Sequence, residues 1–257
     1  MSLGLAALVS TAIALVAWRA RTLSRWGTVA ASVIGTLVLW PTGWAGCLVL
    51  GAFASALSHS ALGARHSALG GEQADVGGRG WRQVVANGGV GAVGAVGEFW
   101  VPGIGIWLLT IVLAAAGADT WATSFGGRSR RPPRDILSFG VVEPGTSGGI
   151  TWFGTAGGIM GAGFIGAVGG LASQNLELGV TSAAVGVLGM LFDSVLGSAI
   201  QGRFWCDTCR QATERRVHRC GKRATRTAGW AWLDNDLVNL ATTVTAFGAG
   251  LALWPTS

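Results

Sequence analysis

The placement of positive charge restricts this chain more than any other feature. All 18 Lys and Arg residues fall between apolar stretches, and none falls inside one. Eight stretches can be counted, at 3–18, 26–40, 44–58, 83–99, 104–126, 148–171, 179–201 and 237–254. The first connection holds Arg19, Arg21 and Arg25, the third Arg65, Arg79 and Arg82, and the fifth Arg128, Arg130, Arg131 and Arg134. The seventh holds Arg203, Arg210, Arg215, Arg216, Arg219, Lys222, Arg223 and Arg226, while the even-numbered connections hold none. Membrane chains keep Lys and Arg in cytoplasmic loops, so the alternation predicts cytoplasmic odd-numbered connections and both termini outside. A crossing takes about 20 apolar residues. Stretches two and three are shorter and are joined only by Pro41, Thr42 and Gly43. They are tilted crossings or one re-entrant hairpin, giving about eight spans or six with the same sidedness.

Composition excludes the alternatives. Half of the residues are hydrophobic and 12% are charged, against roughly 25% charged in a soluble domain. Such a chain can neither cover a water-exposed surface nor stay disordered. The expected fold is all-α, a polytopic helix bundle forming one integral membrane domain over residues 1–257. Within it, residues 202–231 form a cytoplasmic basic Cys/His loop. The net charge of +6 is then a topology signal, and a nucleic-acid partner is not expected. The first stretch is followed, not preceded, by its Arg cluster, which reads as a retained span and not a cleaved leader.

Acids inside spans are expensive and point to function. Asp119 lies nine residues before Arg128, and Asp193 ten before Arg203. At about 1.5 Å per helical residue, each carboxylate sits at most ~15 Å inside its basic connection. Polar groups cluster at the same depth: Asn87-Gly88-Gly89, then Glu143 to Gly149 with Gly145, Thr146, Ser147, Gly148 and Gly149, then Asp234-Asn235-Asp236 and Asn239. Thr120 and Ser194 follow the two intramembrane acids directly. Three helices begin near these clusters, and helix N-termini suit anions. Carboxylates with water and phosphate oxygens hold Mg²⁺, and Arg neutralises phosphate. Together these are the parts of a phosphoryl-transfer site. Each has a bland reading as well: an intramembrane Asp paired with Arg, Asp234-Asn235-Asp236 as an N-cap, and Pro144 to Ser147 as a turn with a cap.

The seventh connection carries Cys206, Cys209, His218 and Cys220. This C-x₂-C-x₈-H-x-C spacing supplies four ligands for a structural Zn²⁺, with free thiols as the alternative. Cys47 stands alone in a span and reads as a small apolar residue. Gly161-Ala162-Gly163-Phe164-Ile165-Gly166 matches a dinucleotide fingerprint only as a string, since no strand precedes it. Gly157/Gly161 and Gly166/Gly170 instead read as close helix contacts.

Five ordered segments carry a resemblance: WRQVVANGG at 81–89, ADTWATSFG at 118–126, PGTSGGIT at 144–151, FDSVLGSAIQ at 192–201 and WLDNDLVN at 232–239. The chain resembles the phytyl-phosphate kinase and transmembrane protein nineteen family of integral membrane proteins, domain of unknown function ninety-two. That family commonly carries Glu where this chain has Ser124. The resemblance implies transfer of a phosphoryl group from a nucleoside triphosphate, CTP being expected, to an isoprenyl monophosphate such as phytyl phosphate. It implies a prokaryotic cytoplasmic membrane with the active site facing the cytoplasm. On this reading Asp119 and Asp193 hold Mg²⁺, with Asp234 or Asp236 sharing the task. Gly145 to Gly149 cradle phosphate together with Gly88, Thr120, Ser194 and Asn235, and Asn87 and Asn239 orient oxygens. A transporter or channel, and a CTP-dependent nucleotidyltransferase acting on a lipid phosphate, are the alternatives.

Overall fold

The computed structural model describes residues 1–66 and 78–255. The connection at 67–77 lies outside the described residues. Among the described residues, seven α-helices form the bundle: α1 (Leu3–Arg19), α2 (Arg25–His66), α3 (Trp81–Val96), α4 (Ile104–Gly126), α5 (Trp152–Ser173), α6 (Leu176–Ala199) and α7 (Asn235–Ala252). Two small sheets sit in the connections. β1 (Arg134–Asp135) pairs with β2 (Gly149–Ile150), and β3 (Arg203–Cys206) lies between β4 (Gln211–Thr213) and β5 (Thr225–Ala228), all antiparallel.

α2 is a hairpin and not a rod. Gly43 adopts φ 62° and ψ −139°, outside the reach of an ordinary L residue. Pro41 precedes it. A Cβ at Gly46 would stand 3.1 Å from Val38 Cγ1, although eight helical residues span about 12 Å. The chain therefore turns back at the Pro41-Thr42-Gly43 junction, and α2 comprises both short apolar stretches as two antiparallel arms. Among the described residues, the segments long and apolar enough to cross a membrane are Arg25–Ser55, which includes that turn, Ile104–Gly126, Trp152–Ser173 and Leu176–Ala199. Their outward faces are apolar: Leu171 and Leu188 are exposed, as are Leu8 and Val16 on α1. Such a surface is stable in lipid and not in water. The protein is a mostly helical polytopic membrane protein.

The bundle has two distinct ends. At one, the Met1 amino group donates to Trp40 O, and the rings of Trp40 and Phe99 meet at 4.7 Å. At the other, Arg79 N donates to Thr22 O, Ser24 N donates to Arg79 O, and Arg82 pairs with Asp234. The first is called here the tryptophan end and the second the arginine end.

α4 is the hub, buried on nearly every face from Gly105 to Ala118, as expected of a helix that is apolar all round. α5 reaches it through small residues. A Cβ at Gly161 would come within 2.9 Å of Gly117 O, and one at Gly166 within 2.5 Å of Gly179 O on α6. Both contacts exclude any side chain, which accounts for the glycine spacing read from the sequence.

Two boundaries differ from the apolar pattern. α5 begins at Trp152 instead of Gly148, because Gly148 turns in the left-handed region at φ 80° and Gly149-Ile150 extend into β2. Thr151 caps the helix, accepting from Gly154 N at 2.9 Å. α6 begins at Leu176 instead of Gly179, capped by Asn175, which accepts from Leu178 N. Side-chain caps decide these ends, and hydrophobicity does not register them.

Candidate functional site

A cavity of about 1430 Å³ opens at the arginine end and runs into the bundle. Drug-sized ligands occupy pockets of about 300–1,000 Å³, so this one has room for more than a small substrate. Its polar part draws on four helices and a loop. α3 contributes Asn87 and Gly88, α4 Asp119 and Thr120, α6 Asp193 and Ser194, and α7 Asn235, Asp236 and Asn239, with Asp234 at its cap. The 144–149 loop contributes Gly145, Thr146, Ser147 and Gly149. Gly148 is not on the lining. A Cβ there would stand 2.7 Å from Ser198 Cα, so this residue seats the loop against α6.

The acids divide into two kinds. Asp193 is buried and accepts one hydrogen bond, from Thr242 Oγ1 at 3.0 Å, which ties α6 to α7. Asp119 makes no hydrogen bond to another described residue; Arg79 lies within electrostatic reach of it, and Asp119 and Asp193 feel each other's charge. Two neighbouring buried carboxylates repel, and a cation between them relieves the repulsion. Asp234 and Asp236 lie nearer the surface. Asp234 caps α7, accepting from Leu237 N at 3.1 Å, and takes Arg82 Nη2 at 2.8 Å. Asp236 lies 3.7 Å from Arg82 Nε. Exposed pairs of this kind contribute about 0–1 kcal/mol. Asp234 therefore has the capping role that its sequence context also allowed.

The hydroxyls of Thr120 and Ser194 donate back to Ala116 O and Met190 O of their own helices. They face the cavity with lone pairs only. Two buried amides carry the opposite signal. Gln83 Oε1 and Gln201 Nε2 have no hydrogen-bond partner among the described residues, and both residues line the cavity. A buried polar atom without a partner is costly, and both atoms lie beneath the cavity wall, out of contact with its open space. Cations surround the mouth: Arg79, Arg82, Arg128, Arg130, Arg131 and Arg215 all line it. Focused positive charge of this kind draws in anions.

Several working residues escaped the sequence reading. Glu214, just after β4, accepts from Ser147 N at 3.2 Å and from the Ser147 hydroxyl. Arg203 on β3 donates to Ser147 O, Gly197 O and Ser198 O. The Cys/His module thus grips the 144–149 loop from both sides of Ser147. Asp135 is buried and accepts from Ser198 Oγ at 2.6 Å, from Ser138 N and from Leu137 N. The Ser198 hydroxyl leads in holding its carboxyl down at about 2. In sequence both acids look like solvated charges within Arg-rich loops. Gln201 alone had a signal, since it closes the FDSVLGSAIQ segment.

Within that module, Cys206, Cys209, His218 and Cys220 present ligand atoms all within 4.8 Å of one another. Cys206 belongs to β3, and β4 and β5 flank it, so the sheet presets the cluster. His218 Nδ1 lies 3.2 Å from Cys220 Sγ and holds that thiol down at about 6, while Cys209, hydrogen-bonded to Cys220, is pushed up to about 11. A Cys₃His set this close could hold a metal such as zinc, which displaces the remaining thiol protons. Among the described residues it is the one His, Cys, Asp and Glu cluster so arranged.

Fold and cavity define an integral membrane protein with a charged mouth at one end of a helix bundle. The chain belongs to the family described as integral membrane protein DUF92, whose model matches residues 8–247. It is similar to the uncharacterized membrane protein MJ0933 of Methanocaldococcus jannaschii, 31% identical over 197 residues, which cover 76% of this chain and 81% of the relative. It is also similar to Protein PGR of Arabidopsis thaliana, 26% identical over 265 residues, covering 91% of this chain and 90% of the relative. No solved structure matches it.

Proposed function

We propose that this protein is a membrane kinase that transfers the terminal phosphoryl group of a nucleoside triphosphate, CTP being the first choice, to an isoprenyl monophosphate. One observation carries the reading. The carboxylates of Asp119 and Asp193 and a glycine-rich loop line one Arg-ringed cavity that continues into apolar space. The arrangement supports eight helical crossings with the arginine end in the cytoplasm and both termini outside, where nucleotide is available to the mouth.

In the reaction, an oxygen of the lipid phosphate attacks the γ-phosphorus while the bond to the β-phosphate oxygen breaks. The products are an isoprenyl diphosphate and a nucleoside diphosphate. A phosphate monoester loses its second proton near pH 6, so the nucleophile is already ionised at neutral pH and needs no base. Asp119 and Asp193, with Asp236 sharing the task, would hold Mg²⁺, which would supply charge neutralisation across the phosphates. In the 144–149 loop the N–H groups of Thr146, Ser147 and Gly149 are committed to Glu143 O, Glu214 Oε1 and Thr146 O, so a phosphate there would rely chiefly on Arg79 and Arg128 to offset its charge. Asn87 and Asn239 orient phosphate oxygens.

The described cavity lining favours a lipid-phosphate enzyme over a transporter, since its charged groups gather at one end only. The test is purified protein with Mg²⁺, each nucleoside triphosphate in turn and a set of isoprenyl monophosphates, read by mass spectrometry. One added phosphate supports the reading. An added nucleotidyl group assigns the site to nucleotidyl transfer instead, and no product with any pairing refutes the kinase. The Cys₃His module would carry one structural zinc per chain by metal analysis, lost in Cys206→Ser.

A further inference from the structure

We infer that the apolar limb of the cavity holds the hydrocarbon chain of a single-chain isoprenyl monophosphate, and that Gly51 sets the chain length it accepts. This rests on the reaction proposed above and adds where the lipid lies and what selects it.

The limb is built from three helix faces. Ile13, Ala14 and Ala17 line it from α1, and Ile34 and Leu39 from the first arm of α2. Leu50, Gly51, Ala54 and Leu57 line it from the second arm. Spacings of three and four residues, such as Ala31, Gly35 and Leu39 on the first arm of α2, put each set on one face of its helix. Ser10 also borders this space, but its hydroxyl is committed to Ser32 O and to Thr36 Oγ1 at 2.8 Å. No charged side chain enters the limb from these faces, so the chemistry it recognises is hydrocarbon.

The limb is continuous with the acidic mouth, and its depth can be placed. A Cβ at Gly117 would lie 3.8 Å from Phe53 Cδ2. Gly117 is two residues from Asp119, so the second arm passes the acids near residues 53–57. From Leu57 back to Cys47, the helix covers about 15 Å of apolar wall. An amphiphile with its phosphate at Asp119 and Asp193 and one chain along α1 and α2 fits this shape.

Gly51 lies midway along that wall. No atom stands within 4 Å of a Cβ built there, so a side chain at this position enters the limb. At Gly35, by contrast, a Cβ would stand 2.7 Å from Ser10 Cβ, where the helices touch. Gly163 on α5 also has open space around its Cβ position and does not line the cavity, which makes it the matched control.

The experiment is native mass spectrometry of the detergent-purified protein competing dimethylallyl, farnesyl and phytyl monophosphates, with dioleoyl phosphatidate as the two-chain probe. Gly51→Leu is expected to weaken phytyl monophosphate by about tenfold or more, as a misplaced methylene does in an apolar pocket. Dimethylallyl monophosphate, whose chain is too short to pass Gly51, should stay within about twofold, and Gly163→Leu should match the parent within the same margin. Gly51→Ala should give the same order at smaller amplitude and covers the case in which leucine impairs folding. Equal loss of all three ligands, no loss of the phytyl compound, no binding to the parent protein, or phosphatidate competing as well as phytyl monophosphate would each overturn the assignment. Turnover is measured on the same samples. Binding that follows this pattern without phosphoryl transfer would refute the kinase reading and leave the limb standing.

Discussion

At the tryptophan end, Glu98 gives both carboxylate oxygens to the start of α4, accepting from Gly103 N, Gly105 N and Ile106 N. At the arginine end, Asp193 accepts one hydroxyl hydrogen bond, and Asp119 makes none to another described residue. The acids share a chemistry and differ in what satisfies them. Glu98 neutralises orphan N–H groups at a helix N-terminus, where a negative charge is stabilising. Asp193, buried, and Asp119, half-buried, keep most of their acceptor capacity in one cavity. An intramembrane acid is a functional candidate when its environment leaves it unsatisfied, and a structural one when the backbone consumes it.

The largest expected effect is at the unsatisfied pair. Asp193→Asn keeps the Thr242 hydrogen bond and removes the charge, so turnover should fall at least about a hundredfold with thermal unfolding unchanged. Parent-like turnover would break the contrast. Glu98→Ala should do the reverse, costing about 0.5–2 kcal/mol of stability, as for a lost helix cap, with turnover per folded molecule unchanged. Chemical or thermal unfolding read beside the transfer assay checks both.

Glu214 sharpens the comparison, because it occupies the backbone N–H of Ser147 in the phosphate loop. Glu214→Gln keeps an acceptor there and removes a competing negative charge. The nucleotide KM should fall by about twofold to tenfold, the range of one hydrogen bond's net strength. A rise in KM would instead make Glu214 part of the cation site.

The smallest effect concerns Asp135. Its carboxyl is held at about 2 against an ordinary 3.8 by the Ser198 hydroxyl and then by backbone N–H groups. A depressed carboxylate stabilises the fold fully above the ordinary value, and that stabilisation is lost as pH falls through 3.8 toward about 2. Hydrogen exchange across residues 134–150 should accelerate in that window. In Asp135→Asn it should be faster at neutral pH and nearly flat below.

The helices were legible because apolar runs and the confinement of Arg to alternate connections are one-dimensional signals. The hairpin at Gly43 was legible as an ambiguity, and the close packing at Gly161 and Gly166 as a spacing. Where α5 begins was not, because Thr151 capping and the left-handed turn at Gly148 are local backbone choices that hydrophobicity does not record. The convergence of Asn87, Asp119, Asp193 and Asn239 on one cavity followed from counting depth from the Arg residues. Glu214 and Asp135 were hidden because each acts through a contact made only when a loop docks: Glu214 with Ser147, and Asp135 with Ser198 and Arg203. Arg203, read as one more topology charge, holds three carbonyls at that junction.

The most direct test is to follow the phosphorus itself. Nucleoside triphosphate labelled with heavy oxygen only on its γ-phosphoryl group is incubated with the protein, Mg²⁺ and farnesyl or phytyl monophosphate. The account expects an isoprenyl diphosphate carrying the label and an unlabelled nucleoside diphosphate, both abolished in Asp119→Asn and Asp193→Asn. Label retained in released pyrophosphate with a nucleotidyl group on the lipid, or no labelled lipid under any condition, would contradict it.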